Sequence, residues 1–138
     1  MKIVQGFVAG FLSTLVFHQG LLQVLHMAGV SSRPAYVMTP TPPFHLPQVI
    51  SLAFWGGVWG VLLWLVIRPF DGSWRYWAAA LVVGALAPSI VALFVVFPLK
   101  GLPVAGGWQP ALLVGALLLN GAWGVGTALF LRLFDFFR

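Results

Sequence analysis

The sequence predicts an all-α integral membrane protein, a bundle of four transmembrane helices with a proline-rich outer loop, open to description as two tandem helical hairpins. Three observations predict it. Of the 138 residues, 61% are hydrophobic. Charge is confined to seven Lys or Arg and two Asp, where a soluble domain carries about a quarter of its residues charged. Four continuous apolar runs each reach the roughly 20 residues that a bilayer-spanning helix needs. So few charges cannot cover a soluble surface, and disorder requires far lower hydrophobicity. A membrane β-barrel would alternate over segments of about ten residues, and these runs are continuous.

The first span covers residues 3–27. Lys2 followed by an apolar run has the outline of a secretory leader. The run continues to Met27 without an Ala-x-Ala-like site, so it is read as a retained span. The second span covers 47–67, the third 77–97 and the fourth 110–131, all within one transmembrane domain, 1–138. Pro47 and Pro110 stand where the first turn of a helix tolerates proline. Pro88 inside span three predicts a kink or a local opening.

Lys2, Arg68, Arg75, Arg132 and Arg138 fall on one side of this arrangement, and Arg33 and Lys100 on the other. The excess predicts both termini in the cytoplasm. Trp74, Tyr76 and Trp77 read as interfacial anchors on that side, with Tyr36 and Trp108 opposite. The basic residues stand singly at span ends, so there is no stripe to track a phosphate backbone, and no nucleic-acid partner is expected. The connection from Ala28 to Leu46 contains Thr39-Pro40-Thr41-Pro42-Pro43, which predicts a stiff, extended stretch. That stretch is free to cover the outer mouth of the bundle, to dock a partner, or to serve as a rigid linker.

The chain also repeats itself. Trp59-Gly60-Val61 through Arg68-Pro69-Phe70-Asp71 matches Trp123-Gly124-Val125 through Arg132-Leu133-Phe134-Asp135 at an offset of 64. Spans one and three match loosely around Gly10 and Gly84. Two spans per unit preserve topology, so the repeat is parallel. Asp71 and Asp135 are expected to pair with Arg68 and Arg132, three residues back. Gly6, Gly10, Gly56, Gly57, Gly60, Gly121 and Gly124 are the helix-packing candidates, because small residues let backbones approach in lipid. Spans two and four, where glycine clusters beside a mid-span Trp, are expected to be central and mutually packed. There each Trp-adjacent glycine would make room for a ring.

The candidate polar cluster is His18, Gln19, Gln23, His26, His45 and Asn120. Gln19, Gln23 and His26 share a helix face, and His18 lies beside it. Polar groups at this depth must face protein, water or a bound molecule. The histidines could converge at the outer mouth, where imidazole can bind metal or haem iron. His18 and His26 are about 12 Å apart along one helix, too far to share one iron. Quinone or lipid-headgroup contact through His18 and Gln19 is the other ligand class, and no cofactor is predicted. The plain reading has these residues bonding to neighbouring helices or to the loop, and Asn120 bridging two helices. There is no Cys, and no Asp or Glu lies inside a span. That removes thiolate and paired-carboxylate chemistry and leaves no catalytic residue to name.

Gly6-Phe7-Val8-Ala9-Gly10 and Phe17-His18-Gln19-Gly20 open a pattern that runs on through Phe54-Trp55-Gly56-Gly57-Val58-Trp59-Gly60. Pro98-Leu99-Lys100-Gly101 and Asn120-Gly121-Ala122-Trp123-Gly124 complete it. In these the chain resembles a family of small, uncharacterised four-span inner-membrane proteins of proteobacteria. The resemblance implies a bacterial inner membrane, adds weight to His18 and Gln19, and brings no activity. The leading expectation is a non-enzymatic accessory or assembly protein acting through glycine-lined contacts with a membrane-protein partner. The alternatives are an oligomeric channel or small transporter, built as a homodimer and lined by His18, Gln19, Gln23 and Asn120, and a quinone-, haem- or metal-associated redox protein.

Overall fold

The protein is a multi-pass, all-α membrane protein. The structure, a computed structural model, describes residues 1–136, Phe136 through its backbone alone. Arg138, assigned above to the inner side, lies outside the described residues. Helix α1 runs Lys2–Met27, α2 Gln48–Phe70 and α3 Trp74–Leu99, and α4 runs Pro110–Phe136. Each is long and apolar enough to cross a bilayer. α3 and α4 run past the apolar limits at Trp77 and Leu131, because a helix need not end where the hydrocarbon does.

The helices form an up-and-down ring in chain order. One end carries Lys2, Arg68, Arg75 and Arg132 and is called the basic end; the other carries the long connection and is called the loop end. α1 packs closely on α2, and α3 on α4, while α1 and α4 join the two hairpins. α2 meets α3 only lightly and α4 hardly at all. The expectation that spans two and four are central and mutually packed is therefore corrected: α1 and α4 are the central pair.

Backbone approach explains the pairing. A Cβ added at Gly10 would lie 2.8 Å from Gly60 Cα, and one at Gly60 would lie 2.7 Å from Gly10 Cα. The other hairpin closes alike: a Cβ at Gly84 would lie 2.6 Å from Gly124 Cα, and one at Gly124 2.9 Å from Gly84 Cα. Gly60 and Gly124 thus admit a backbone, where the sequence reading expected a ring. Rings are admitted elsewhere, Phe7 against Gly57 and Phe17 against Gly126.

Two helices carry one wide turn each. In α1, Thr14–His18 is π-helical, with Gln19 N–H bonded to Thr14 O. In α3, Ala92–Val96 is π-helical, with Phe97 N–H bonded to Ala92 O. A residue that disturbs the regular turn stands at the start of the first and four residues before the second. Thr14 Oγ1 bonds back to Gly10 O at 2.9 Å, and Pro88 brings no N–H. The opening expected of Pro88 takes this form one turn on.

The buried apolar core sits in the basic half, around Leu63, Ile67, Tyr76, Trp123 and Leu131. Tyr76 belongs to this core and is not the interfacial anchor expected. It is 4% exposed, donates its hydroxyl to Ala128 O at 2.9 Å, and carries the Arg132 guanidinium 4.6 Å from its ring centroid. Trp74 remains strongly exposed. The acidic residues pair across helices, correcting the local pairs expected: Asp71 accepts from Arg132 at 2.9 Å, and Asp135 pairs with Lys2.

The proline-rich connection is folded rather than simply extended. Pro40–Thr41 (β1) pairs antiparallel with Leu46–Pro47 (β2). Gln48 N–H bonds to Thr39 O and Val49 N–H to Val37 O, each at 3.0 Å. These bonds fasten the hairpin to the start of α2.

Candidate functional site at the loop end

Two carbonyls anchor the site from below. Gly10 O accepts the hydroxyl of Thr14 and, at 3.0 Å, the indole N–H of Trp123. Trp123 O accepts Thr127 Oγ1 at 2.9 Å and Ser13 Oγ at 2.6 Å. Each carbonyl thus takes one hydroxyl from its own helix and one donor from the other. This reciprocal clamp joins α1 to α4 where both are buried. It places the wide turn Thr14–His18 directly above the junction, towards the loop end.

The wide turn delivers Gln19 to the loop. Gln19 is 4% exposed, and its Oε1 accepts Tyr36 N–H at 2.8 Å. Its Nε2 lies 3.1 Å from His18 Nδ1. Tyr36 returns its hydroxyl to Leu15 O at 2.8 Å. One residue from the end of α1, His26 Nδ1 meets Ser31 O at 2.9 Å. Gln19 and His26, two of the three residues placed on one face, therefore hold residues 31–36 as a strap across α1. Sequence reasoning named Tyr36 only as an anchor. Its part in the strap had no signal beyond an aromatic in the loop.

The six candidates do not form one cluster. His18 and Gln19 touch each other, and His26 bonds to the loop. Gln23 is half-buried without a side-chain partner among the described residues. His45 is exposed on the hairpin with φ +52°. Asn120 lies in the other hairpin, where its Nδ2 donates to Ser89 Oγ at 2.9 Å. Ser89 is 1% exposed, so this is an interhelical bond inside the α3–α4 pair. Among the described residues no three His, Cys, Asp or Glu side chains assemble as a metal would require.

The packing glycines lie within the hairpins and not on a free face: Gly6, Gly10, Gly56 and Gly60 at the α1–α2 contact, Gly57 beneath Phe7, Gly121 and Gly124 against α3. No buried side-chain nitrogen or oxygen among the described residues lacks a partner. A crevice of about 120 Å³ opens where α2 and α3 meet lightly, lined by Trp59, Leu63, Val83, Ala87, Pro88 and Trp123. It is apolar and well below the roughly 300 Å³ at which small-molecule pockets begin. Large apolar side chains stand exposed at the loop end beside Arg33, His45 and Lys100: Phe44 at the hairpin tip is 80% exposed, Met38 65% and Trp108 64%.

No family model, no curated protein and no solved structure matches the chain.

Proposed function

We propose that the chain is a non-enzymatic accessory or assembly protein of a bacterial inner membrane, with both termini in the cytoplasm. It engages a membrane-protein partner through the strapped outer hairpin. The observation that carries this reading is the exposed Phe44 tip on a hairpin fastened to the start of α2 and preceded by a strap bonded to α1. An aromatic held out on an ordered element binds at low entropic cost, which is how interface anchors act. The glycines expected to meet a partner are used inside the bundle, so the contact moves from the helix faces to the loop. The excess of Lys and Arg at the basic end supports the orientation, and the family resemblance supports the membrane. The closing of both hairpins at Gly10–Gly60 and Gly84–Gly124 supports a parallel repeat of two helical hairpins.

A channel lined by His18, Gln19, Gln23 and Asn120 has less to recommend it, because Gln19 and Asn120 already bond within the chain.

The test is photo-crosslinking in cells from a benzophenone amino acid at position 44, followed by purification in mild detergent. The expected result is one adduct of defined mass with a foreign membrane protein, present in stoichiometric amount and lost in Phe44→Ser. A chain that crosslinks only to lipid, or that purifies alone with and without the substitution, overturns the reading.

A further inference from the structure

Hydrogen-bond direction determines the state of His18. Tyr36 N–H can only donate, so the Gln19 atom facing it is the amide oxygen. The other end of the amide is then NH₂, which can only donate, and it faces His18 Nδ1 at 3.1 Å. Nδ1 must therefore accept. The imidazole is neutral, with its proton on Nε2. In this state neither nitrogen offers a lone pair to a metal.

Nε2–H has no partner among the described residues, yet it is not a sealed polar atom. It is a donor in reach of something outside the chain. Depth says what kind of thing. His18 lies nine residues before the end of α1 at Met27, or about 13 Å along the helix. That is inside the hydrocarbon of a bilayer about 30 Å thick, where an unpaired N–H is costly. A lone donor at this depth suits an acceptor-only oxygen. His18 also closes a π-turn, a distortion that recurs at functional sites.

We propose that His18 Nε2–H is the recognition donor of a binding site for a lipid-soluble molecule presenting a carbonyl oxygen. The Gln19–Tyr36 strap fixes the tautomer that makes the donor. A quinone ring carbonyl and the ester carbonyl of a phospholipid share this chemistry; a quinone ring enters the hydrocarbon to this depth, whereas an ester reaches it only where the lipid is drawn inward along α1. The site goes beyond the partner-docking reading and stands without it.

The test uses the full chain, labelled with ¹⁵N-histidine, in nanodiscs. One arm compares ester-linked with ether-linked phosphatidylcholine, which lacks the carbonyl. A second adds a short-tailed benzoquinone to the ether-lipid discs. The expected spectrum has Nδ1 bare and Nε2 protonated. The Nε2 resonance then moves with the ester carbonyl, with the quinone, or with both, which identifies the source. His18→Phe should weaken quinone or ester-lipid retention about tenfold, the worth of one desolvated hydrogen bond. Gln19→Leu keeps the imidazole, releases the tautomer, and should produce a mixture of the two neutral forms. A protonated Nδ1 in the unaltered protein overturns the proposal. So does an Nε2 resonance indifferent to all arms, which would leave only water as its partner.

Discussion

At Gly60 the difference between a hydrogen and a methyl decides how near two helices come. An alanine there would put its Cβ 2.7 Å from Gly10 Cα, inside any real contact, so the hairpin must open. We expect Gly60→Ala to cost about 1–3 kcal/mol, the usual range for overpacking, read as a lower midpoint in thermal or SDS unfolding. Gly84→Ala should cost a similar amount at the opposite hairpin. Gly115 is the internal control, with nothing within 4 Å of the added Cβ. There, Gly115→Ala should be neutral or stabilising by up to about 1 kcal/mol, because glycine is a poor helix former. Mean hydropathy treats all three positions alike. Only geometry separates them.

Among the elements, the α1–α4 junction is the most consequential. Trp123→Phe keeps a ring and removes one donor from Gly10 O, which still holds Thr14. We expect a loss of about 0.6–1.7 kcal/mol, as for interhelical hydrogen bonds in other membrane proteins. Ser13→Ala removes the reciprocal bond, and the double variant should lose more than either alone. The four spans were legible in the sequence, because a hydrophobic run of this length reports its own medium. Their pairing was not: a glycine announces room for a close approach without naming the neighbour. The ion pairs were misread for a related reason. Arg68 and Asp71 are one helical turn apart, but the helix has ended by Asp71, whose φ −55° and ψ 139° turn it off that face. It reaches Arg132 instead. The wide turns had no sequence pattern of their own, yet the one in α1 carries the His18–Gln19 step. Those two residues were legible as a polar pair in an apolar span, whereas the strap that orients them runs through Tyr36, 17 residues on.

For the molecule as a whole, orientation is directly measurable. The chain has no cysteine, so a single introduced one reports its own side of the membrane. We expect Ser73→Cys to label only from the cytoplasm and His45→Cys only from the opposite side; reversed labelling would overturn the assigned topology. The two hairpins are each closed by their own glycine contact and meet chiefly at α1 and α4. The turn between them, around Gly72, is exposed and has nothing within 4 Å of a Cβ at that glycine. Two genes, one ending near Gly72 and the other starting there, should therefore yield fragments that reassemble in the membrane, detectable by co-purification through a tag on either. The reciprocal clamp sets a clock on synthesis. While the ribosome is still making α3, Gly10 O has Thr14 alone for company and Ser13 has no carbonyl across from it. The first hairpin must wait in the bilayer, complete in itself, with a small polar scar facing lipid or the insertion machinery. The arrival of Trp123 closes it, so the insertion of α4 is also the moment at which these polar groups of α1 find their partners in protein.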